Sequence, residues 1–142
     1  MEQRVLRLNT THLETIRDHI LRCLPEEACG LLGGREGYVE VVVPITNQLH
    51  SPVRFRMQPE ELLATLQYLE SNGLDLLAIF HSHPHGPEVP SDTDLREYAY
   101  PKSLMMIWFP KGSDWQCRAF QVDVEKREYQ EIPILVGEDA QP

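Results

Sequence analysis

The sequence predicts a mixed α/β fold in which helices flank a central β-sheet. Two segments carry apolar residues at helical spacing, and a largely apolar run over residues 74–80 is typical of a strand buried on both faces. Further apolar runs bounded by turn residues predict additional strands. Alternating helices and strands indicate one layered core, which 142 residues are enough to bury. We therefore expect a single domain over residues 1–136 and a flexible C-terminal tail at residues 137–142.

A strand, a helix and a hairpin are predicted for the first part of the chain. RVLRL alternates as a short strand does, and Thr10 or Thr11 then caps a helix that ends near Pro25. The apolar residues at helical spacing along this helix are Leu13, Ile16, Ile20 and Leu24. Residues 28–34 and 38–43 are predicted to form two strands joined by a glycine-containing loop.

A second helix and further strands complete the predicted fold. Phe55 and its neighbours add a short strand, and Pro59 begins a helix that stops at Asn72. The predicted apolar face of this helix consists of Leu62, Leu63, Leu66 and Leu69. The buried strand over residues 74–80 then leads directly to His81. SDTDLREYAY is predicted to be a short helix, and LMMIWF, QCRAFQV and REYQEIPI are predicted to be three strands.

Charge and composition exclude several classes of function. The chain has 13 Lys+Arg against 22 Asp+Glu, a formal charge of −9, without a basic cluster, so we expect no nucleic-acid partner. No apolar stretch reaches the roughly 18 residues of a membrane-spanning helix, and the N-terminus lacks the pattern of a signal peptide, so we expect no membrane association. Cys23, Cys29 and Cys117 form no C-x-x-C pair, which favours a cytoplasmic location. The oligomeric state is left open.

Two histidines at the end of the buried strand carry the candidate chemistry. Residues i and i+2 of a strand project to the same face, so His81 and His83 present two imidazoles side by side. Asp94 follows in the first turn of the predicted short helix and can add a carboxylate. Two nitrogens and one carboxylate oxygen leave a fourth tetrahedral position for water, as in catalytic zinc sites. We therefore predict one Zn²⁺ per chain, held by His81, His83 and Asp94.

A hydrolytic site of this kind also needs a carboxylate that takes a proton from the water. The candidates are Glu26 and Glu27, in PEEACGLLGG, where the first predicted helix ends and a strand begins. Spacing alone does not choose between them. Ser91 stands at the start of the short helix, and Ser91-x-x-Asp94 is also the pattern of a capping box.

These residues together resemble the signature of the JAMM metalloprotease family, also called MPN-plus. The matching residues are His81-x-His83-Pro84, then after six residues Ser91-x-x-Asp94, and earlier in the chain Glu27-Ala28-Cys29-Gly30. The resemblance extends from Pro25 to about Phe120. It implies a fold like that of cytidine deaminases, with a central mixed sheet and the metal at its edge.

The resemblance also implies roles for single residues and a class of substrate. Glu27, rather than Glu26, matches the general base, and Ser91 matches a residue that donates a hydrogen bond to the developing oxyanion. We favour this role for Ser91 over capping. The family hydrolyses peptide or isopeptide bonds next to ubiquitin or ubiquitin-like proteins. Because the chain is short, it resembles the compact prokaryotic members, which act on ubiquitin-like sulfur-carrier proteins. We therefore predict cleavage after a C-terminal Gly-Gly, an extended tail that can add a strand to a sheet edge.

Two other functions are weighed against this prediction. A non-catalytic MPN-type scaffold is the main alternative, but scaffold relatives usually lose metal ligands that this chain retains. A nucleobase deaminase is less compatible, because the sequence lacks H-x-E and P-C-x-x-C. Among the remaining candidate residues, we expect Cys29 to be part of the core and His85 to be exposed.

Overall fold

The computed structural model describes residues 4–137, and its centre is one eight-stranded mixed sheet. In chain order the elements are β1 (Leu6–Asn9), α1 (Thr10–Cys23), β2 (Cys29–Arg35), β3 (Tyr38–Ile45), α2 (Pro59–Ser71), β4 (Asp75–Ser82), α3 (Asp92–Glu97), β5 (Leu104–Lys111), β6 (Asp114–Asp123), β7 (Glu128–Ile132) and β8 (Ile134–Gly137). The strand order is β7-β6-β5-β4-β2-β3-β1-β8. β4 and β5, β1 and β3, and β1 and β8 are parallel, and the other pairs are antiparallel. The predicted mixed α/β class is confirmed.

Helices cover both faces of the sheet. Ile16 of α1 is fully buried in a cluster that includes Phe80 of β4. The preceding strand residue, Ile79, points to the opposite face, where Leu66 of α2 packs against its cluster. Leu95 of α3 is buried against residues of β5 and β6. Each fully buried side chain of this size contributes about 1.5–3 kcal/mol. The structure therefore has a core on each side of β4.

The first helix begins at a different cap from the predicted one. Asn9, not Thr10 or Thr11, is the N-cap of α1, and its N–H donates to Nδ1 of His12 at 3.0 Å. All three candidates are residue types that favour this position, so local preference does not separate them. Strand pairing decides the position, because Asn9 is still paired with Gly137 of β8.

Three further sequence predictions differ from the structure. Phe55 lies in the loop between β3 and α2 rather than in a strand, and only an isolated bridge between Asn47 and Met57 crosses this loop. Leu63 of α2 is 57% exposed, because it is not on the face that α2 turns toward the sheet; other apolar residues of α2 form that face. REYQEIPI forms parts of two strands, because Pro133 separates β7 from β8.

β7 and β8 lie at opposite ends of the strand order although one residue separates them. Ile132 of β7 pairs with Ala119 of β6, whereas Ile134 of β8 pairs with Leu6 of β1. Pro133 accepts a hydrogen bond from Leu6 N–H through its carbonyl at 3.0 Å. The sheet is therefore curled so that its two edges meet at Pro133. Of the predicted tail, Gly137 ends β8 and residues 138–142 lie outside the described residues.

The end of β4 is the place where the elements of the candidate site meet. β4 lies near the middle of the sheet, antiparallel to β2 and parallel to β5, and it runs through His81 to Ser82. The carboxyl ends of parallel strands are the usual position of a binding site in sheets covered by helices. Within residues 4–137, no helix combines the length and apolar character needed to cross a bilayer.

Candidate metal centre

Three side chains converge beyond the end of β4. Nε2 of His81 is 3.1 Å from Nε2 of His83, and Oδ2 of Asp94 is 3.2 Å from the first nitrogen and 3.1 Å from the second. A tetrahedral ion with bonds of about 2.0–2.1 Å has ligand atoms about 3.3–3.4 Å apart. The three atoms therefore lie at about the separation that such an ion requires.

Neighbouring groups orient both imidazoles. Nδ1 of His83 is 2.7 Å from the carbonyl oxygen of Pro87, which can only accept, so Nδ1 carries a proton and Nε2 is the nitrogen that faces the site and would coordinate a metal. The ring of His81 stacks on that of Phe55, with centroids 4.6 Å apart and an interplanar angle of 24°. Nδ1 of His81 is buried without a hydrogen-bond partner in the described part of the chain.

The environment of the ligands favours positive charge at their centre. Burial acts to raise the pKa of the Asp94 carboxyl, but the adjacent His81 and hydrogen bonds from both imidazoles and the Ser91 N–H hold it well below its usual range. Burial acts to lower the pKa of His83, but its hydrogen bonds to Asp94 and Pro87 raise it. Two imidazoles and an ionised carboxylate, nearly excluded from water, are a donor set suited to a metal cation.

Glu27 lies next to this cluster. Its carboxylate and the imidazoles of His81 and His83 offer ligand atoms that all lie within 4.8 Å of one another, a group that could hold a metal ion. The residue is 4% exposed. Burial raises the pKa of the Glu27 carboxyl to about 8, with a smaller contribution from Asp94 in the same direction and an opposing one from His83. A buried carboxylate with a pKa in this range is suited to exchanging protons near neutral pH.

Ser82, between the two histidines, ties the segment of Glu27 to β4. Its Oγ accepts a hydrogen bond from Ala28 N–H at 2.8 Å, and its own N–H donates to the Ala28 carbonyl at 3.0 Å. The residue is fully buried. The last residue of β4, which separates the two histidines, therefore also positions the backbone that follows Glu27.

The structure separates the two adjacent glutamates that the sequence left open. Oε1 of Glu26 is 2.9 Å from Nδ1 of His50, and this pair lies on the surface. Glu27 is the glutamate that reaches the metal-binding group. Glu26 lies in the bend that follows α1, whereas Glu27 lies after this bend, two residues before β2.

Ser91 forms the capping box that competed with its predicted oxyanion role. Its Oγ accepts from Asp94 N–H at 3.1 Å, and its N–H donates to Oδ2 of Asp94 at 2.9 Å. The capping interpretation is therefore confirmed. The two roles do not exclude each other, because capping uses a lone pair of Oγ and leaves the hydroxyl proton to donate elsewhere. The oxyanion role stays a prediction.

The remaining candidates from the sequence lie outside the site. Cys29 is fully buried and His85 is exposed, as predicted. Sequence reasoning missed the contributions of Ser82 and Phe55 to the site. Ser82 could have been suspected from its place between the two histidines. No periodicity or motif marks Phe55.

A cavity of about 260 Å³ opens beside the metal-binding group. Its lining includes Phe55, Met57, Ile79, Asp94 and Tyr98. The cavity is therefore mostly apolar and includes one of the proposed ligands in its wall. This arrangement leaves room for a bound group next to Asp94.

Comparison with known proteins assigns the chain to a family. Residues 9–122 match the family model described as prokaryotic homologs of the JAB domain. The chain belongs to this family. The resemblance inferred from the histidine, serine and aspartate spacing is thereby confirmed at the level of the family.

The chain is also similar to named relatives and to a solved structure. A probable TtuB-protein conjugate cleaving protease of Thermus thermophilus is 48% identical over 86 residues, which are 60% of this chain and 57% of that protein. A desampylase of Pyrococcus furiosus is 38% identical over 110 residues, 78% of this chain and 76% of that one. The solution structure of a protein from Desulfitobacterium hafniense has a TM-score of 0.84 at 34% identity and covers 94% of each chain.

Proposed function

We propose that this JAB-family chain is a zinc-dependent peptidase that hydrolyses the peptide or isopeptide bond after the C-terminal Gly-Gly of a ubiquitin-like or sulfur-carrier protein. His81, His83 and Asp94 hold the zinc, and Glu27 is the general base. The observation that carries the proposal is the convergence of a buried glutamate with two imidazoles and an ionised carboxylate at the end of β4. The choice of zinc rests on this donor set, which matches known catalytic zinc sites.

The metal and the residues around it have separate roles in the proposed reaction. Zinc, when bound, acts as a Lewis acid that lowers the pKa of water to about 7. Glu27 accepts a proton from the attacking water and delivers it to the leaving amine, and its burial favours the protonated form between these steps. The Ser91 hydroxyl donates a hydrogen bond to the developing oxyanion, a type of contact worth about 10²–10³ in rate.

The substrate class is supported by the relatives and by the shape of the site. The Thermus relative carries a name that describes cleavage of a protein conjugate, and the Pyrococcus relative is named a desampylase. An extended Gly-Gly tail has no side chains, so its backbone can come close to the buried His81 and His83. The cavity beside Asp94 then receives a side chain close to the scissile bond. All three cysteines are unpaired, which fits the cytoplasmic location predicted from the sequence.

The proposal is tested by measuring zinc and cleavage on the same preparations. The protein is purified without chelator, its zinc is quantified, and a ubiquitin-like carrier extended beyond Gly-Gly is the substrate. We expect about one zinc per chain and loss of cleavage after chelator treatment. Glu27→Gln should retain zinc and lose about 10²–10⁴ in kcat. Glu26→Gln is the matched control, because it removes the same charge from the neighbouring exposed residue, and it should stay active.

Two results would contradict the proposal in different ways. Zinc binding without cleavage of any carrier extended beyond Gly-Gly would refute the substrate class while leaving the metal centre intact. Failure to bind zinc even after reconstitution would refute the catalytic function and favour the MPN-type scaffold.

A further inference from the structure

Glu27 lies on a short segment that belongs to neither α1 nor β2. Its position next to the imidazoles therefore depends on contacts from other parts of the chain. Ser82 holds the following residue, Ala28, as described above. The backbone of Glu27 itself is held by the loop between β3 and α2. Its N–H donates to the carbonyl of Ser51 at 2.8 Å, and its carbonyl accepts from Nδ2 of Asn47 at 3.0 Å.

The Asn47 side chain organises this loop from within. Nδ2 also donates to the carbonyl of Arg54 at 3.0 Å, and Oδ1 accepts from the N–H groups of Leu49 and Arg56, both at 3.1 Å. The residue is 5% exposed, so these bonds are shielded from water. One amide thus joins both ends of the loop over residues 48–56 to the carbonyl of Glu27.

We propose that Asn47 is a positioning residue for the general base. It holds Glu27 directly through the Glu27 carbonyl, and indirectly by fixing the loop whose Ser51 carbonyl receives the Glu27 N–H. The inference rests on the proposed function, because it assigns Asn47 to the reaction through Glu27. It adds a residue that lies outside the segments matching the family signature.

The expected effect follows from the geometry of proton transfer. The base must stay within hydrogen-bonding reach of the water, and a displacement of about 1 Å can lower the rate about 10²-fold. Outer groups that orient residues of a metal site are typically worth about 10–100-fold. Asn47 does not contact His81, His83 or Asp94 through any hydrogen bond recorded among residues 4–137, so its loss should act on Glu27 rather than on metal binding.

Asn47→Asp is the sharpest variant. It keeps the shape and the Oδ1 acceptor, but it replaces Nδ2, which donates to the carbonyl oxygens of Glu27, Ser51 and Arg54, with a carboxylate oxygen that cannot donate. Asn47→Ser, which leaves space for water, serves as a second variant if the charged one does not fold. Ser103→Ala is the matched control. It also removes a buried side-chain donor to a backbone carbonyl, that of Leu76, but at the opposite end of β4.

We expect Asn47→Asp to lower kcat for the extended carrier about 10–100-fold with the zinc content unchanged. Amide exchange of Glu27 should accelerate, while that of Ala28, held by Ser82, should not. Ser103→Ala should change neither kcat nor the amide exchange of Glu27, even if it lowers the melting temperature as much as Asn47→Asp does. In a Glu27→Gln background, Asn47→Asp should have no further effect on the residual rate, because residues that act through one another are not additive.

The inference is overturned if the kcat of Asn47→Asp stays within about twofold of the wild-type value. It is also overturned if Asn47→Asp lowers kcat by the same factor in the Glu27→Gln background as in the wild type. Unchanged exchange at Glu27 would overturn it as well. A wild-type protein that binds zinc but cleaves no carrier refutes the proposed function instead. In that case amide exchange still decides whether Asn47 holds Glu27.

Discussion

Gly30 should be the least replaceable glycine near the metal centre. It is paired directly with Phe80 on β4 and with Pro44 on β3, at the start of the segment that carries Glu27 into the sheet. A Cβ at this position would overlap the ring atoms Cε2 and Cζ of Phe80 and would lie 2.6 Å from the carbonyl oxygen of Val43. We predict that Gly30→Ala strongly destabilises the fold.

The magnitude follows from the two contacts. Overpacking a dense core costs about 1–3 kcal/mol, and a backbone carbonyl cannot be moved by rotating a side chain, so we expect about 3 kcal/mol. Phe80 is fully buried and has no free space into which to turn. An unfolding entropy of about 2.1 cal/mol/K per residue gives about 0.3 kcal/mol/K for 142 residues. The melting temperature should therefore fall by about 10 °C.

Differential scanning calorimetry of four variants, namely Gly30→Ala, Gly112→Ala, Phe80→Leu and Gly30→Ala combined with Phe80→Leu, tests this reasoning. Gly112→Ala is the control, because Gly112 has a positive φ of 64° but nothing within 4 Å of the added Cβ. It should lose only about 1 kcal/mol, or about 3 °C. In a Phe80→Leu background, Gly30→Ala should cost about 1–2 kcal/mol less than in the wild type, since the overlapping ring is gone. A Gly30→Ala protein that melts no earlier than Gly112→Ala would refute the steric explanation.

Three further predictions concern the buried polar and titratable groups. Ser82→Ala leaves the Ala28 N–H without its acceptor, so the unfolding free energy should fall by about 1–3 kcal/mol; an unchanged denaturation midpoint in urea would contradict this. Burial lowers the pKa of His19 below 6.5, so the unfolded state takes up a proton first and stability is lost as the pH falls below 6.5. Between pH 7.5 and 5 the melting temperature of His19→Gln should therefore fall less than that of the wild type. An equal decrease in the two proteins would contradict this prediction. Cys29 is fully buried, and burial raises the pKa of its thiol to about 12, so at pH 8 maleimide should label it only after unfolding. Mass spectrometry showing rapid labelling of this thiol in the folded protein would disprove that expectation.

The metal-binding group could be predicted from the sequence because its members are close along the chain. His81 is in β4 and His83 lies one residue beyond its end, so their two-residue spacing already places both imidazoles on one side of the sheet. Asp94 lies in the next helix along the chain. Glu27 is more distant, and residue patterns alone did not distinguish it from Glu26. The family resemblance was needed for that choice, and the structure agrees with it.

The contacts that support the site were not predictable in this way. Asn47 bonds to backbone atoms that a loop brings together, and no spacing rule describes such a loop. The sequence predicts a short strand at Phe55, yet this residue lies in a loop and its ring stacks on that of His81. The pairing of β8 with β1 depends on how far the whole sheet curls, which no local window contains.

The junction at Pro133 has a consequence for how the protein is made. Leu6 and Ile134 are partners in the sheet although nearly all of the described chain lies between them. Contacts of such long range form slowly, because a large loop must close before they are gained. During synthesis β1 therefore stays an open edge until the last described strand has left the ribosome. An exposed edge of this kind can pair with other chains, so translation that stalls before β8 should yield an aggregation-prone intermediate.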